Sequence, residues 1–470
     1  MKVHFWGAAQ TTTGSHHLLE VGDVKVALDC GMFQGKRSEA LTRNREFACN
    51  PADVKAVILS HAHVDHCGNL PTFCAQGFRG DIHCTHPTLE ISRALIEDSA
   101  FIQMKDAQFM NKRLAKRGEP LIEPLYTIEQ AQATFPQFSA LGMHRDLCFA
   151  PRVCGMFLNA GHILGSAVTV LDLEEKGGGG KHRLVFSGDI GRKKMALLPP
   201  AAAPDHARTL ICESTYGNRV HEPEENLKAN LLDVVKRTAE RGGKIIIPAF
   251  SVGRTQEIVY RLNDLFTEGR LPRIPIFVDS PLSVRVTDIF RRYPEYYNRE
   301  AAAALAKDPD IFGFETLRYV QSVEESKSLN DIETPVVIIS ASGMCEAGRI
   351  LHHLRNSITN PKNTVLIVGF QAENTLGRRI VEKHPKVKIF GEEHALRAEV
   401  VVMNGFSAHA DSEELLDFIF NVRERSGGEL QRVFLVHGEK PGQEALAERI
   451  RDTMNLEVHI PARGDSFDLA

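Results

Sequence analysis

Residues 61–66 read His-Ala-His-Val-Asp-His and follow directly on AVILS (56–60), a short apolar run of the kind that forms a buried strand. Imidazole nitrogen and carboxylate oxygen are the donors that divalent zinc takes in catalytic sites. In an extended turn His61 and His63 lie on one side, while Asp65 and His66 project toward a second position nearby. The spacing therefore offers half-sites for two ions. Two ions need further ligands, and His162 in NAGHILGS, Asp189 in FSGDIG and His437 in FLVHGE each stand where an expected strand begins or ends. An aspartate can bridge two ions through its two oxygens. Water shared by such a pair is acidified from pKa 15.7 to roughly 7 and becomes a nucleophile at neutral pH.

Bringing these segments together requires a large scaffold. At roughly 150 residues per domain, the 470-residue chain suggests about three units, or two with insertions. Hydrophobic residues make up 43% and charged ones 25%, and no run approaches the length of a bilayer span, so a membrane protein and a disordered chain are both excluded. The net charge of −4 means that any polyanion must be met by a local basic groove. Nine cysteines without a C-x-x-C pair disfavour both a disulfide framework and a thiolate zinc knuckle. A reducing cytoplasm is expected, and the opening MKVHFWG lacks the basic and apolar regions of a secretion signal.

From Val3 to Asp29 the pattern is short strands and turns, VHFWG, HHLLEV and VKVALD. A helix is expected near 89–110. AVTVLDLEE and HRLVFSGDI form a hairpin whose loop contains Gly177 to Gly180. After TLICEST (209–215) apolar strands alternate with helices: KIIIPAF, a helix near 255–266, IPIFVDS, VVIISAS, a helix around Ile350, TVLIVGF, a helix around Ile380, and VKIF. That rhythm marks parallel βαβ units. The expected fold class is α/β: one domain in two pieces, 1–212 and 396–470, with a parallel-sheet domain, 213–395, inserted between them.

LDCG, HAHVDHCG, AGHILGS and SGDIG resemble the successive motifs of the metallo-β-lactamase fold, an αββα sandwich. CESTYG, GFSAHAD and LVHGE resemble the additional motifs of its β-CASP branch, whose members are nucleases. PAFSVGRTQE, DSPLS, ASGM and GFQAENTLGR are most similar to the group containing the endonuclease of eukaryotic mRNA 3′-end processing and its prokaryotic relatives. The match spans essentially the whole chain, without an amino-terminal KH region or an RNase J-type carboxy-terminal domain. The resemblance implies two zinc ions per chain, one held by His61, His63, His162 and Asp189 and the other by Asp65, His66, Asp189 and His437. Asp29 would orient the ligand loop from behind. Asp65, His409 and Glu213 would be catalytic, with His409 as the general acid that protonates the leaving oxygen and Glu213 holding it charged. Asp411, rather than His409, is expected to cap the helix that follows.

In the inserted domain, Ser251, Arg254, Ser342, Gly343 and Arg378 stand at strand-to-helix loops, where backbone N–H groups and arginines can hold phosphates. Ser407 is placed two residues before His409. Arg192–Lys194 reads as a solvated turn and Lys112–Arg117 as an exposed helix face. The leading expectation is a zinc-dependent ribonuclease that hydrolyses single-stranded RNA to 5′-phosphate and 3′-hydroxyl ends, in RNA processing or decay. A small-molecule hydrolase of the lactamase or glyoxalase II type shares the metal motifs but has no use for the inserted domain. A non-catalytic RNA-processing scaffold would have lost ligands, and none is lost here. Whether the enzyme is endo- or exonucleolytic, cuts DNA, or forms a homodimer stays open at this level.

Overall fold

A computed structural model of the protein describes residues 1–175, 180–222, 226–369, 371–372 and 374–469. The chain divides into two compact units, one of Met1–Lys193, Pro199–Val220 and His409–Ala470, the other of Lys194–Leu198 and His221–Ala408.

The first unit holds two seven-stranded sheets. One runs Ser466–Asp468, Lys2–Phe5, His17–Val21, Val24–Leu28, Val54–Ile58, Asp81–Thr85, Phe138–Leu141 across its width, antiparallel up to Val24–Leu28 and parallel beyond. The other runs Glu457–His459, Arg432–Val436, Thr209–Glu213, Lys181–Phe186, Ala167–Glu174, Val153–Asn159, Leu147–Ala150, parallel at its first three pairings and antiparallel at the rest. Alternation along each strand builds the layers, because successive side chains point to opposite faces. Leu19, Val26 and Ile58 meet Phe157, Leu171, Phe186 and Phe434 between the sheets. Their neighbours Leu18, Ala27 and Val57 face outward onto Leu70, Phe73 and Ile96 of the helices Leu70–Ala75 and His86–Arg117. On the far side Leu210, Cys212 and Val433 pack under Leu415, Ile419, Leu446 and Ile450 of the helices Ser412–Arg425 and Lys440–Met454. The result is the αββα layering.

The expected hairpin of Ala167–Glu174 and Lys181–Phe186 forms, while Gly177–Gly179 of its loop lie outside the described residues. The helix expected near 89–110 extends over His86–Arg117, closed by a left-handed Gly118, and its last turns are exposed as expected for Lys112–Arg117. Cys148 and Cys154, opposite each other in the Leu147–Ala150/Val153–Asn159 ladder, are joined by a disulfide; the other seven cysteines are free. Ladder register sets these two residues opposite one another, and that is invisible in cysteine spacing.

The second unit is built on a six-stranded sheet in the order Leu317–Val320, Ile276–Asp279, Val336–Ser340, Lys244–Pro248, Thr364–Ile367, Glu399–Val402, with every pairing parallel. Two departures from the expected layout occur here. Lys386–Ile389 pairs with Glu392–Ala395 in a separate hairpin and does not join the parallel sheet. Glu399–Val402, read as part of the two-piece domain, instead adds the last strand of this sheet. Among the described residues no helix is long and apolar enough to cross a membrane.

Candidate metal centre and active site

All the residues expected as ligands, with Asp29 and Glu213, lie at or beyond the carboxyl ends of strands in the two-sheet unit, which also contains His409. Asp29 ends Val24–Leu28, is fully buried, and adopts a left-handed φ of 59°. Its Oδ1 accepts from the Ser60 amide at 2.8 Å. Its Oδ2 accepts from Ser15 Oγ and Ser60 Oγ, both at 3.0 Å, and from His66 Nδ1 at 2.7 Å. The ligand loop is thus fastened from behind. Gly31 allows the close approach, since a Cβ there would sit 1.6 Å from the Asp65 carbonyl oxygen. Past Val54–Ile58, His61 and His63 precede the short helix Val64–Cys67, with His63 extended at its N-cap, and Asp65 and His66 project from the helical turn.

Two groups of side chains converge, His61, His63, His162 and Asp189 in one and Asp65, His66 and His437 in the other, with the donor atoms of each within 4.8 Å of one another. His63 Nδ1 lies 3.1 Å from both His61 Nε2 and His162 Nε2, and His66 Nε2 lies 3.2 Å from His437 Nε2. Asp189 divides its oxygens between the groups. Oδ2 is 3.4 Å from His61 and 3.5 Å from His162, while Oδ1 is 3.4 Å from both His66 Nε2 and His437 Nδ1. The His162 amide and its neighbour Ile163 both donate to Ser166 Oγ, at 3.0 and 3.2 Å, fixing that loop.

Electrostatics favours a cation. Burial pushes His61 and His162 well below the ordinary imidazole value and His63 to about 4, so three neutral nitrogens face one another. Burial opposes ionisation of Asp189, yet His437, His66 and His61 hold it well below the usual carboxylate range. Asp65 falls to about 2 against the same penalty, through its hydrogen bond with His437 and the charge of His66. Burial disfavours the charge on His66 too, but Asp189 and Asp29 hold its proton firmly. Ligand bonds of ~2.0–2.1 Å in a tetrahedron place donors about 3.3–3.4 Å apart. The separations of 3.1–3.5 Å match that edge.

His409 and Glu213 form a third group with Asp189. Glu213 ends Thr209–Glu213 and is fully buried, its Oε1 accepting from the Ile190 amide at 2.7 Å and its Oε2 from the Thr215 amide at 3.2 Å. His409 Nδ1 lies 3.1 Å from Oε1, and a β-bridge of His409 to Gly191 holds it beside the Asp189 loop. Burial would lower its pKa, but the charges of Glu213, Asp189 and Asp65 lift it to about 9. Asp411 caps Ser412–Arg425, accepting from the amides of Glu413 and Glu414, each at 3.0 Å, in a full capping box, which leaves His409 free of that duty. Lys193 and Lys194 are exposed, as expected of a solvated turn, with Lys193 paired to Asp417, whereas Arg192 is buried with its Nε 4.0 Å from Glu414.

Ser251, Arg254, Ser342, Gly343, Arg378 and Ser407 belong to the parallel-sheet unit. Ser251 is buried between Lys244–Pro248 and Arg254–Thr267, and Arg254 is buried in an ion pair with Glu257 at 2.9 Å. Ser342 and Gly343 follow Val336–Ser340, where the Gly343 carbonyl accepts from Gln371 at 2.9 Å. Arg378 Nε meets Glu382 at 2.6 Å, and Ser407 is buried after Asn404–Phe406. Ser15, Ser60 and Thr215 were missed by sequence reasoning. Ser60 directly precedes the histidine cluster and Thr215 follows Glu213 by two, the one signal each carries.

Comparison with known proteins gives concordant matches. Residues 14–101 match the model of the metallo-beta-lactamase superfamily, 255–380 that of the Beta-Casp domain, and 393–461 that of the Zn-dependent metallo-hydrolase RNA specificity domain. Ribonuclease TTHA0252 of Thermus thermophilus is 37% identical over 449 residues, 95% of each chain. Transcription termination factor FttA of Methanocaldococcus jannaschii is 29% identical over 99% of this chain and 71% of that protein, and an RNase J-like protein of the same organism is 29% identical over 98% of both. The crystal structure of a protein of unknown function from Enterococcus faecalis matches over 99% of both chains with a TM-score of 0.57 at 14% identity, a likeness of fold alone.

Proposed function

The chain belongs to the β-CASP family of the metallo-β-lactamase superfamily, and from that premise we propose a zinc-dependent ribonuclease that hydrolyses single-stranded RNA, leaving 5′-phosphate and 3′-hydroxyl ends, in RNA processing or decay. It is a metal-dependent hydrolase acting on RNA. His61, His63, His162 and Asp189 would hold one zinc, and Asp65, His66, Asp189 and His437 the other. When bound, zinc supplies Lewis acidity toward a phosphodiester oxygen and makes an attacking water acidic. Asp29 keeps the His66 ring in place. His409, charged at neutral pH, gives its proton to the departing 3′-oxygen, and buried Glu213 holds it in that state. Ser251, Arg254, Ser342, Gly343, Arg378 and Ser407 are proposed to bind the RNA backbone, with Arg254 and Arg378 exchanging their glutamates for phosphates. A cytoplasmic setting completes the reading on the seven free thiols, with the Cys148–Cys154 disulfide as the one feature that runs against a reducing compartment.

The observation that carries this proposal is the His409–Glu213 pair beside the two ligand groups, because an alkoxide leaving group needs a proton donor whereas the thiolate of a glyoxalase-type thioester departs without one. The test compares turnover of an end-labelled single-stranded RNA, its duplex, a β-lactam and a thioester by zinc-loaded protein. Cleavage of the single strand in preference to all three supports the reading. Faster turnover of a small molecule overturns it in favour of a lactamase-like hydrolase.

A further inference from the structure

We infer that Thr215 is a positioning residue whose hydroxyl sets the tautomer and ring orientation of His437. The inference rests on the proposed two-zinc reading. Thr209–Glu213 runs parallel beside Arg432–Val436 with Glu213 opposite Val436, so the two chains leave the sheet side by side. Ser214 ties them, its Oγ donating to the Val436 carbonyl at 2.6 Å and its amide to the His437 carbonyl at 3.2 Å. The approach needs Gly438, where a Cβ would lie 2.4 Å from Ser214 Oγ. Thr215 Oγ1 then stands 3.1 Å from both the carbonyl oxygen and Nδ1 of His437.

A hydroxyl has one hydrogen, and a carbonyl oxygen can only accept. The arrangement in which both 3.1 Å contacts are hydrogen bonds has the Thr215 hydroxyl donating to the His437 carbonyl and accepting from Nδ1–H, and this is the one we assign. With Nδ1–H committed to the hydroxyl, Nε2 is the nitrogen left for a metal: it faces His66 Nε2 at 3.2 Å and Asp65 Oδ2 at 3.3 Å, and a bound ion would replace the hydrogen that bonds Asp65 in the metal-free protein. Asp189 Oδ1, 3.4 Å from Nδ1, lies beyond the usual N–H···O range. His437 also has a left-handed φ of 48°, uncommon for a residue with a Cβ, and the hydroxyl holds its carbonyl in that conformation. The Thr215 amide meanwhile binds Glu213 Oε2, so one short turn serves both the ligand and the carboxylate behind His409.

The test measures zinc affinity by chelator competition for the wild type, Thr215→Val and Thr215→Ser. The expected result is two zinc ions bound by the wild type, one of them held roughly 10–100-fold more weakly in Thr215→Val, and near wild-type binding in Thr215→Ser, which keeps the hydroxyl. Equal affinities in the wild type and Thr215→Val overturn the role of Thr215 and leave the two-zinc reading standing. Equal weakening in Val and Ser also overturns it, pointing to packing of the methyl. A wild type that takes up no zinc overturns the metal reading itself. Thr215→Ala supplies the hydroxyl-free arm if the Val variant does not fold.

Discussion

His409 Nδ1 lies 3.1 Å from Glu213 Oε1, and the same carboxylate is pinned by the amides of Ile190 and Thr215. A buried carboxylate held this rigidly cannot turn away from the imidazole. His409→Ala should therefore keep both zinc ions and slow RNA cleavage by roughly 10²–10⁴-fold, the worth of a positioned proton donor. Bis(p-nitrophenyl) phosphate, whose leaving group departs without protonation, should be cleaved at close to the wild-type rate. Equal damage on both substrates with normal metal content would assign His409 to phosphate positioning instead.

The pH profile carries the same relationship. The acid form of His409 is present below a pKa of about 9 and is lost as pH rises through it, so kcat/KM should fall on the alkaline side near that value. Glu213→Gln removes the charge that offsets burial, and burial lowers a histidine pKa. The alkaline limb should therefore move to lower pH in that variant. A limb in the same place in both proteins would separate it from His409.

Zinc uptake should release protons. In the metal-free protein Asp189 and Asp29 keep His66 charged well above its ordinary pKa, and a metal can take only the neutral ring. Affinity should therefore fall as pH falls, and calorimetry in buffers of different ionisation enthalpy should show net proton release near neutrality. Uptake without protons would place His66 outside the ligand set.

Individual ligands should divide by group. His63→Ala should lose activity together with metal, whereas Asp65→Ala or His66→Ala should empty one position preferentially, read by elemental analysis after dialysis. Asp29→Ala, which removes the partner of His66 Nδ1 and of the Ser15 and Ser60 hydroxyls, should weaken zinc by roughly 10–100-fold and leave the ligands themselves intact. Variants of Asp65 and His66 that retain both ions would redraw the assignment.

Histidines clustered in six residues after an apolar strand can be read directly because such donors rarely crowd together without a cation. The two-sheet unit was equally readable, since short apolar runs such as Leu18–Leu19, Val26–Ala27 and Val57–Ile58 mark strands covered on both faces. Hydroxyl residues were not. Ser15, Ser60 and Thr215 look like ordinary strand ends, and only the fold reveals that each faces Asp29 or His437. Strand pairing was hidden for the same reason. VVV at 400–402 suits either sheet, and its partner Thr364–Ile367 is named by topology alone.

The central claim, that this ligand set performs RNA hydrolysis through two zinc ions, is tested most directly by titrating chelated, metal-free protein with zinc while following cleavage of an end-labelled single-stranded RNA. Cleavage should be absent at the start, rise with added zinc and level off near two equivalents per chain. Full-rate cleavage by the metal-free protein, or no cleavage once two zinc ions are bound, would contradict it.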